Sequence, residues 1–447
     1  MSHPVVIIGA GPIGLAGAAH AQSRGLDTVV LEAGSSAGAA VQEWGHIRLF
    51  SPWSELVDPV ASALLDRSGW ERPTASACPT GDDWVAGYLE PLARALDATD
   101  EVEVRYGHRV VGVTRFGRDR LVDSGREDEP LVLQVQTVDG IERLVASAVV
   151  DASGTWGGPN PLGGDGLPAL GEAAHADRIS YRVPDVRSAH GRARYAGKHV
   201  VVAGTGASAQ NALVELAHLA EGEPGTRVTW LVRRPGVGNA FGGGDNDQLE
   251  ARGALGKSAE RAAGSAAVTA RTGFRTGSVE QQDDGRLVIT DLGSQTVTDV
   301  DEIIAVTGFR PDLGFLSEVR LDLDPVLQAP RTLAPLIDPN VHSCGTVYPH
   351  GVNELVQPEP GFYLVGMKSY GRAPSFLTLT GCEQVRSVVA AIAGDREAAE
   401  RVELVLPETG VCGGSGTFDE ADSGAGCCAP GEPELVTIGG PRTALGS

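Results

Sequence analysis

Two glycine clusters in this chain have the spacing of phosphate-binding turns. Gly9-Ala10-Gly11-Pro12-Ile13-Gly14 follows the apolar run Val5-Val6-Ile7-Ile8, and Gly204-Thr205-Gly206-Ala207-Ser208-Ala209 follows Val200-Val201-Val202-Ala203. In each, an apolar strand runs into small residues and then into a helical pattern. Glycines there permit a tight turn and let backbone amides approach a pyrophosphate at a helix N-terminus. Gly9, Gly11 and Gly14 thus form one expected dinucleotide cradle, and Gly204, Gly206, Ser208 and Ala209 a second. Two nucleotides in one protein fit a flavin that is reduced by a nicotinamide.

The side chains downstream of each cluster distinguish the two sites. About twenty residues past the first, Val29-Val30-Leu31 ends in Glu32, where an acidic side chain grips a ribose hydroxyl and repels a ribose phosphate. This position suits FAD or NAD. The stretch from His46 to Trp53 is dense in aromatic and cationic groups within an otherwise aromatic-poor chain. It is expected to wall a flavin ring, with His46 or Arg48 at the ring's edge and Trp53 beside them. A late strand ends in Gly366-Met367-Lys368, which leaves Lys368 as a polar contact, and a helix beginning near Ala373 would aim backbone amides at the flavin pyrimidine. The second site differs. Its second strand ends in Val232-Arg233-Arg234, and two guanidinium groups there can clamp the extra phosphate of NADPH. The Gly-rich run from Asn239 to Asp247 reads equally as a loop over the nicotinamide or as a solvated connection.

The elements that must hold these groups repeat. After the first cluster come a helix (15–24), a strand (28–32), a long excursion and a ribbon of short strands. That half closes on Ala148-Val149-Val150-Asp151-Ala152-Ser153-Gly154. After the second come a helix (210–220), a strand (227–232) and short strands that close on Ile303-Ile304-Ala305-Val306-Thr307-Gly308. Strands alternating with helices predict an α/β protein of two Rossmann-like dinucleotide-binding domains. The second is expected to be inserted in the first, because a strand (361–366) and a long helix (about 376–393) follow it. The expected divisions are an FAD-binding domain over 1–165 and 313–406, an NADPH-binding domain over 190–312, and a flexible cysteine-containing tail over 407–447.

Composition sets limits on partners. The 447 residues are too many for one core. A net charge of −22 argues against nucleic acid or an anionic membrane surface as partner. No run of about twenty apolar residues predicts a membrane span, and the N-terminal apolar stretch lacks the basic region of a signal peptide. A cytoplasmic protein is expected, and self-association is left open. In that compartment six cysteines read as thiols, redox groups or soft-metal ligands. Cys78, Cys344 and Cys382 stand singly among apolar residues and are expected to be buried and inert. None forms a CxxC or CxxxxC pair. Cys412, Cys427 and Cys428 lie in the Gly-, Ser- and acid-rich tail, where they could converge on a trivalent thiophilic centre such as arsenite or be incidental.

Taken together these residues resemble the flavin-dependent monooxygenase superfamily. Gly204 to Ala209 match its NADPH fingerprint, and Ala305 to Asp312 match its linker strand with one substitution. Of its signature between the two fingerprints only Gly171 and His175 remain, with Ala169 and Ala176 in the other places. Over nearly the whole chain the sequence is similar to the flavin-binding monooxygenases of bacterial arsenic-resistance operons, in the runs 46–53, 241–256, 361–374 and 406–412. The resemblance implies FAD, NADPH, molecular oxygen and a trivalent arsenical as substrate. A reductase passing electrons through the tail cysteines to a disulfide or metalloid, and a metalloid-binding flavoprotein without catalysis, are the alternatives.

Overall fold

The computed structural model describes residues 3–247, 249–339 and 350–404. Its frame is a pair of five-stranded parallel sheets. In the first, β1 (Val5–Ile8), β2 (Thr28–Glu32), β3 (Val102–Tyr106), β7 (Ala148–Asp151) and β16 (Phe362–Leu364) lie in the order β16-β7-β1-β2-β3. In the second, β8 (Ile179–Ser180), β9 (His199–Ala203), β10 (Arg227–Val232), β11 (Val268–Thr272) and β15 (Glu302–Ala305) lie in the order β11-β10-β9-β15-β8. Each unit carries a three-stranded antiparallel ribbon. β4 (Arg109–Arg115), β5 (Leu131–Thr137) and β6 (Gly140–Ala146) form one; β12 (Thr276–Gln281), β13 (Leu287–Asp291) and β14 (Thr296–Val300) form the other. The second unit is inserted in the first, because β16 returns to pair with β7.

The unbroken apolar runs of β1, β2, β7 and β9 follow from burial of both sheet faces. On one face of the first sheet Val5, Ile7, Val30 and Val150 pack with Leu15, Ala18 and Val385 of the helices Pro12–Gln22 and Thr378–Ile392. On the other, Val6, Ile8, Leu31 and Val149 meet Val113, Leu131 and Leu133 of the ribbon. The second sheet repeats the plan, with Val200, Val202 and Trp230 against the helix Ala207–Gly222. Its other face sets Val201 and Ile303 against Val279, Leu287 and Ile289. The internal repeat read from the sequence is thus a repeat of sheet, helix and ribbon.

One expected boundary moves. The late helix begins at Thr378 rather than near Ala373. Pro374 disfavours helical backbone at the residue before it, and Leu377, the N-cap, is still extended. The long excursion after β2 holds several short helices, among them Pro59–Asp66 and Glu90–Asp97.

A buried charge triad ties the first ribbon to β16. Glu359 accepts from Arg115 Nε and Arg126 Nη2, each at 2.7 Å, and from the backbone N–H of Arg320 at 3.1 Å. All three side chains in the triad are buried. Burial pushes the Glu359 carboxyl up, but the hydrogen bonds from Arg115 and Arg126 outweigh it and hold the group below its ordinary value. Removing one partner of such a group strands the others, so Glu359→Gln is expected to cost about 3–5 kcal/mol in urea unfolding at pH 7. The carboxylate's contribution is complete above the unfolded glutamate pKa of about 4.3 and is lost as pH falls through the lower folded value. The gap between wild type and variant should therefore narrow below about pH 4, and a gap independent of pH would contradict the charge assignment.

Candidate active site

The first cradle is built from backbone. Gly9 leaves β1 with φ +102°, and a side chain there would press on the Ala152 carbonyl at the exit of β7. A Cβ at Gly14 would overlap the Gly9 carbonyl oxygen, so the helix can lie this close only without one. Gly11 is the N-cap of that helix and makes no side-chain cap. A Cβ added at Gly11 meets no protein atom within 4 Å. The helix N-terminus therefore opens on free space with its first N–H groups unpaired, the geometry a pyrophosphate requires.

Glu32 closes the cradle. Its Oε2 accepts from the Ala10 N–H at 2.8 Å and its Oε1 from the Gly34 N–H at 2.7 Å. A carboxylate has about four acceptor positions, so this one can fix the glycine loop and still receive ribose hydroxyls. Gly154 lies just past the end of β7, with no protein atom around its Cβ position.

The flavin-wall candidates separate. His46 is half-buried, and its Nε2 is shielded from solvent with no hydrogen-bond partner. An orphaned ring nitrogen of this kind fits a polar ligand atom. Arg48 is exposed, and its Nη1 donates to the Cys78 carbonyl at 2.5 Å. Trp53 is buried in the core with its ring against Gly87. Gly366, at φ +67°, touches Ile13 and donates its N–H to Gln384 Oε1 at 2.7 Å; Met367 beside it is half-buried. Lys368 lies deeper than its sequence position suggests. Its Nζ donates to Asp151 Oδ2 at 2.7 Å and Ser153 Oγ at 3.0 Å, and both charged side chains are 0% exposed. Sequence reading missed this pair, although Asp151 ends β7 and Lys368 lies in the turn that follows the neighbouring β16. The helix Thr378–Ile392 has Leu377 as N-cap, which offers no side-chain acceptor.

The second cradle repeats the first. Gly204 has φ +130°, and a Cβ there would overlap the Val306 carbonyl. Trp230 Nε1 donates to the Gly204 carbonyl at 2.7 Å and pins the turn. Gly206 is the N-cap of the helix Ala207–Gly222, again with no protein atom within 4 Å of its Cβ position. Ala209 is fully buried and takes the third small-residue place, and Ser208 sits half-buried on the first turn. Arg233 and Arg234 follow β10, and a third arginine, Arg275, follows the neighbouring β11. Partial burial, then the charges of Arg234 and Arg275, lower the Arg233 pKa from its ordinary value. The sequence gives Arg275 away only once β10 and β11 are known to be parallel neighbours. The Gly-rich run after β10 folds into short turns, Gly238–Phe241 and Gly244–Asn246. Gln210 Nε2 donates to the Ala240 carbonyl at 2.7 Å and anchors it. Gly308, at φ +98°, belongs to the crossing back to the first unit.

Cys78 and Cys382 are free thiols, and burial pushes both up from their ordinary value, which suits inert groups. Cys344, Cys412, Cys427 and Cys428 lie outside the described residues. Among the described residues no three His, Cys, Asp or Glu side chains gather as a metal site, and no helix is long and apolar enough to cross a membrane.

The open position at Gly11 yields a clean test. Its backbone is extended at φ −81°, ψ −175°, which any residue adopts, so Gly11→Val should fold as wild type does. Its side chain would fill the cradle. The variant is expected to purify without FAD while its circular dichroism is unchanged. A variant carrying stoichiometric FAD would remove the first cradle from the site.

Comparison with known proteins agrees with this geometry. The chain is 28% identical over 325 residues to ferredoxin–NADP reductase 1 of Cupriavidus necator, covering 71% of this chain and 74% of that protein. Among solved structures it is similar to the bacillithiol disulfide reductase of Bacillus cereus, at 20% identity and TM-score 0.63, covering 88% of this chain and 99% of that one. It is also similar to the FAD-bound cadaverine monooxygenase of desferrioxamine biosynthesis from Erwinia amylovora. There the identity is 14% and the TM-score 0.60, with 91% of this chain and 99% of that one covered. FAD and NAD(P)H are accordingly the chain's cofactors. Residues 3–357 match the pyridine nucleotide-disulphide oxidoreductase family, and this chain belongs to it as an NAD(P)H-dependent flavin oxidoreductase.

Proposed function

We propose that the chain is an NADPH-dependent FAD monooxygenase that oxygenates a soft nucleophile, a trivalent arsenical, in cytoplasmic arsenic detoxification. The observation that carries this reading is the pairing of two dinucleotide cradles with a sequence that has no CxxC or CxxxxC dithiol to take electrons from a flavin. When bound, FAD accepts a hydride from the nicotinamide and passes the electrons to oxygen. For arsenite the balance is NADPH, a proton, O2 and arsenite giving NADP+, water and arsenate. Oxygen transfer to a lone pair needs no protein base, so the chain's own groups bind and orient. The helix N-termini at Gly11 and Gly206 would hold the pyrophosphates, Glu32 would take the adenosine ribose of FAD, and His46 and Arg48 would contact the ring. Cys412, Cys427 and Cys428 would hold or deliver the arsenical as thiolates. The ferredoxin reductase and disulfide reductase likenesses favour the second reading, a reductase that passes electrons through the tail cysteines.

Three guanidinium groups at the ends of β10 and β11 support the reading that this end of the second cradle takes the ribose phosphate of NADPH. Charge-assisted hydrogen bonds contribute about 1.5–3 kcal/mol each. Wild type should therefore reduce its flavin faster with NADPH than with NADH at equal subsaturating concentration. Arg233→Ala combined with Arg234→Ala should erase that preference. Equal rates in wild type would count against the arginines.

The oxygen step separates the readings. Protein reduced anaerobically with NADPH and then given an oxygen pulse with arsenite should form one arsenate per NADPH oxidised. Flavin reoxidation that needs a disulfide instead of oxygen would favour the reductase, and no NADPH oxidation would leave only metalloid binding. Replacing the three tail cysteines by serine should weaken arsenite binding sharply without changing FAD content.

A further inference from the structure

The chain crosses between its two units twice, and the two crossings are bonded to each other. Asn160 N–H donates to the Gly308 carbonyl at 2.9 Å, and Arg310 N–H to the Gly158 carbonyl at 2.7 Å. Arg310 Nε donates to Asn160 Oδ1 at 2.6 Å, and Asn160 Nδ2 to the Thr307 carbonyl at 2.9 Å. A two-stranded connection of this kind fixes a hinge axis but not the angle about it.

Beside this connection a cluster of side chains spans the two units. Trp156, on the outward crossing, packs against Phe309 of the return crossing with centroids 4.9 Å apart, and its ring centroid lies 6.4 Å from that of Trp44 of the first unit. The Arg182 guanidinium of the second unit sits 3.9 Å from the centroid of the Trp156 ring. Its Nη2 also donates to the Trp156 carbonyl at 3.2 Å. Glu43 of the first unit completes the cluster. Its Oε2 accepts from Trp156 Nε1 at 2.8 Å and pairs with Arg182 Nε at 3.3 Å. A planar guanidinium can stack on an aromatic face and pair with a carboxylate at once, which an ammonium cannot reproduce.

The cluster adjoins the candidate flavin wall, because Trp44 stands two residues before the 46–53 stretch.

We propose that Glu43, Trp156 and Arg182 are positioning residues for hydride transfer, holding the two nucleotide-binding units at the angle that presents the NAD(P)H cradle to the FAD cradle. The inference rests on the family's NAD(P)H-to-flavin step alone and does not depend on an arsenical substrate.

The test uses full-length, FAD-loaded protein with two readouts. Small-angle X-ray scattering reports the relative placement of the units. Anaerobic stopped-flow reduction by NADPH separates its limiting rate from its apparent affinity. In Arg182→Gln and in Trp156→Ala the pair-distance distribution should broaden and the limiting rate should fall roughly tenfold or more, as displacement of reacting groups requires. The affinity for NADPH should change less than about twofold, because both cradles stay intact. Arg182→Lys, which keeps the charge but loses the planar stack, should rescue only part of the rate and serves if either other variant misfolds. A limiting rate equal to or above wild type overturns the proposal. So does a slower reduction with unchanged scattering, which would place these residues in local chemistry. Because no oxygen is present, either failure is distinguishable from failure of the monooxygenase reading.

Discussion

The architecture depends on how closely a helix can approach the strand it follows. At Gly14 a side chain would run into the Gly9 carbonyl, and in the second unit the fully buried Ala209 takes the equivalent place. With no more than a methyl group in those places, each helix settles against its sheet with its N-terminus over the carboxyl edge of the strands. The unpaired amides then face the empty space at Gly11 and Gly206. The sheets, buried on both faces, are rigid enough to hold those amides in place, and the ribbons and returning strand serve to cover the faces. Packing and binding are one constraint here, met twice with the same backbone.

Two dinucleotides bring several negative charges to a chain that already carries −22. The net charge opposes them only weakly, because exposed charges more than about 8 Å away are screened at physiological salt. What decides is local. Helix N-termini supply the attraction at both pyrophosphates. In the proposed reading, Glu32 at the end of β2 and Arg233 with Arg234 at the end of β10 would then give the two cradles opposite preferences for a ribose phosphate. The buried Lys368–Asp151 pair follows the same economy in the first unit. Each charge neutralises the other between the ends of β16 and β7, where an unpaired charge would be costly.

Both sheets were legible in the sequence, because unbroken apolar runs ending in glycine have few other uses, and the inserted order followed from the strand at 361–366. The start of the last helix was misplaced by a pattern that continued past Pro374, where backbone sterics override it. What stayed hidden was tertiary. Arg275 joins Arg233 only through the pairing of β10 with β11. Trp156, Arg182 and Glu43 come from three separated segments and meet at the crossing of the chain. Lys368 read as a cofactor contact because its partner, Asp151, is 217 positions away. The tail cysteines were read from composition and lie outside the described residues.

The claim that electrons from NADPH reach molecular oxygen and leave one of its atoms on the substrate is tested most directly by isotope. Turnover of arsenite under 18O2 with NADPH should give arsenate carrying one 18O atom, with the second appearing in water. Arsenate without label, or label recovered only as peroxide and water, would contradict the account.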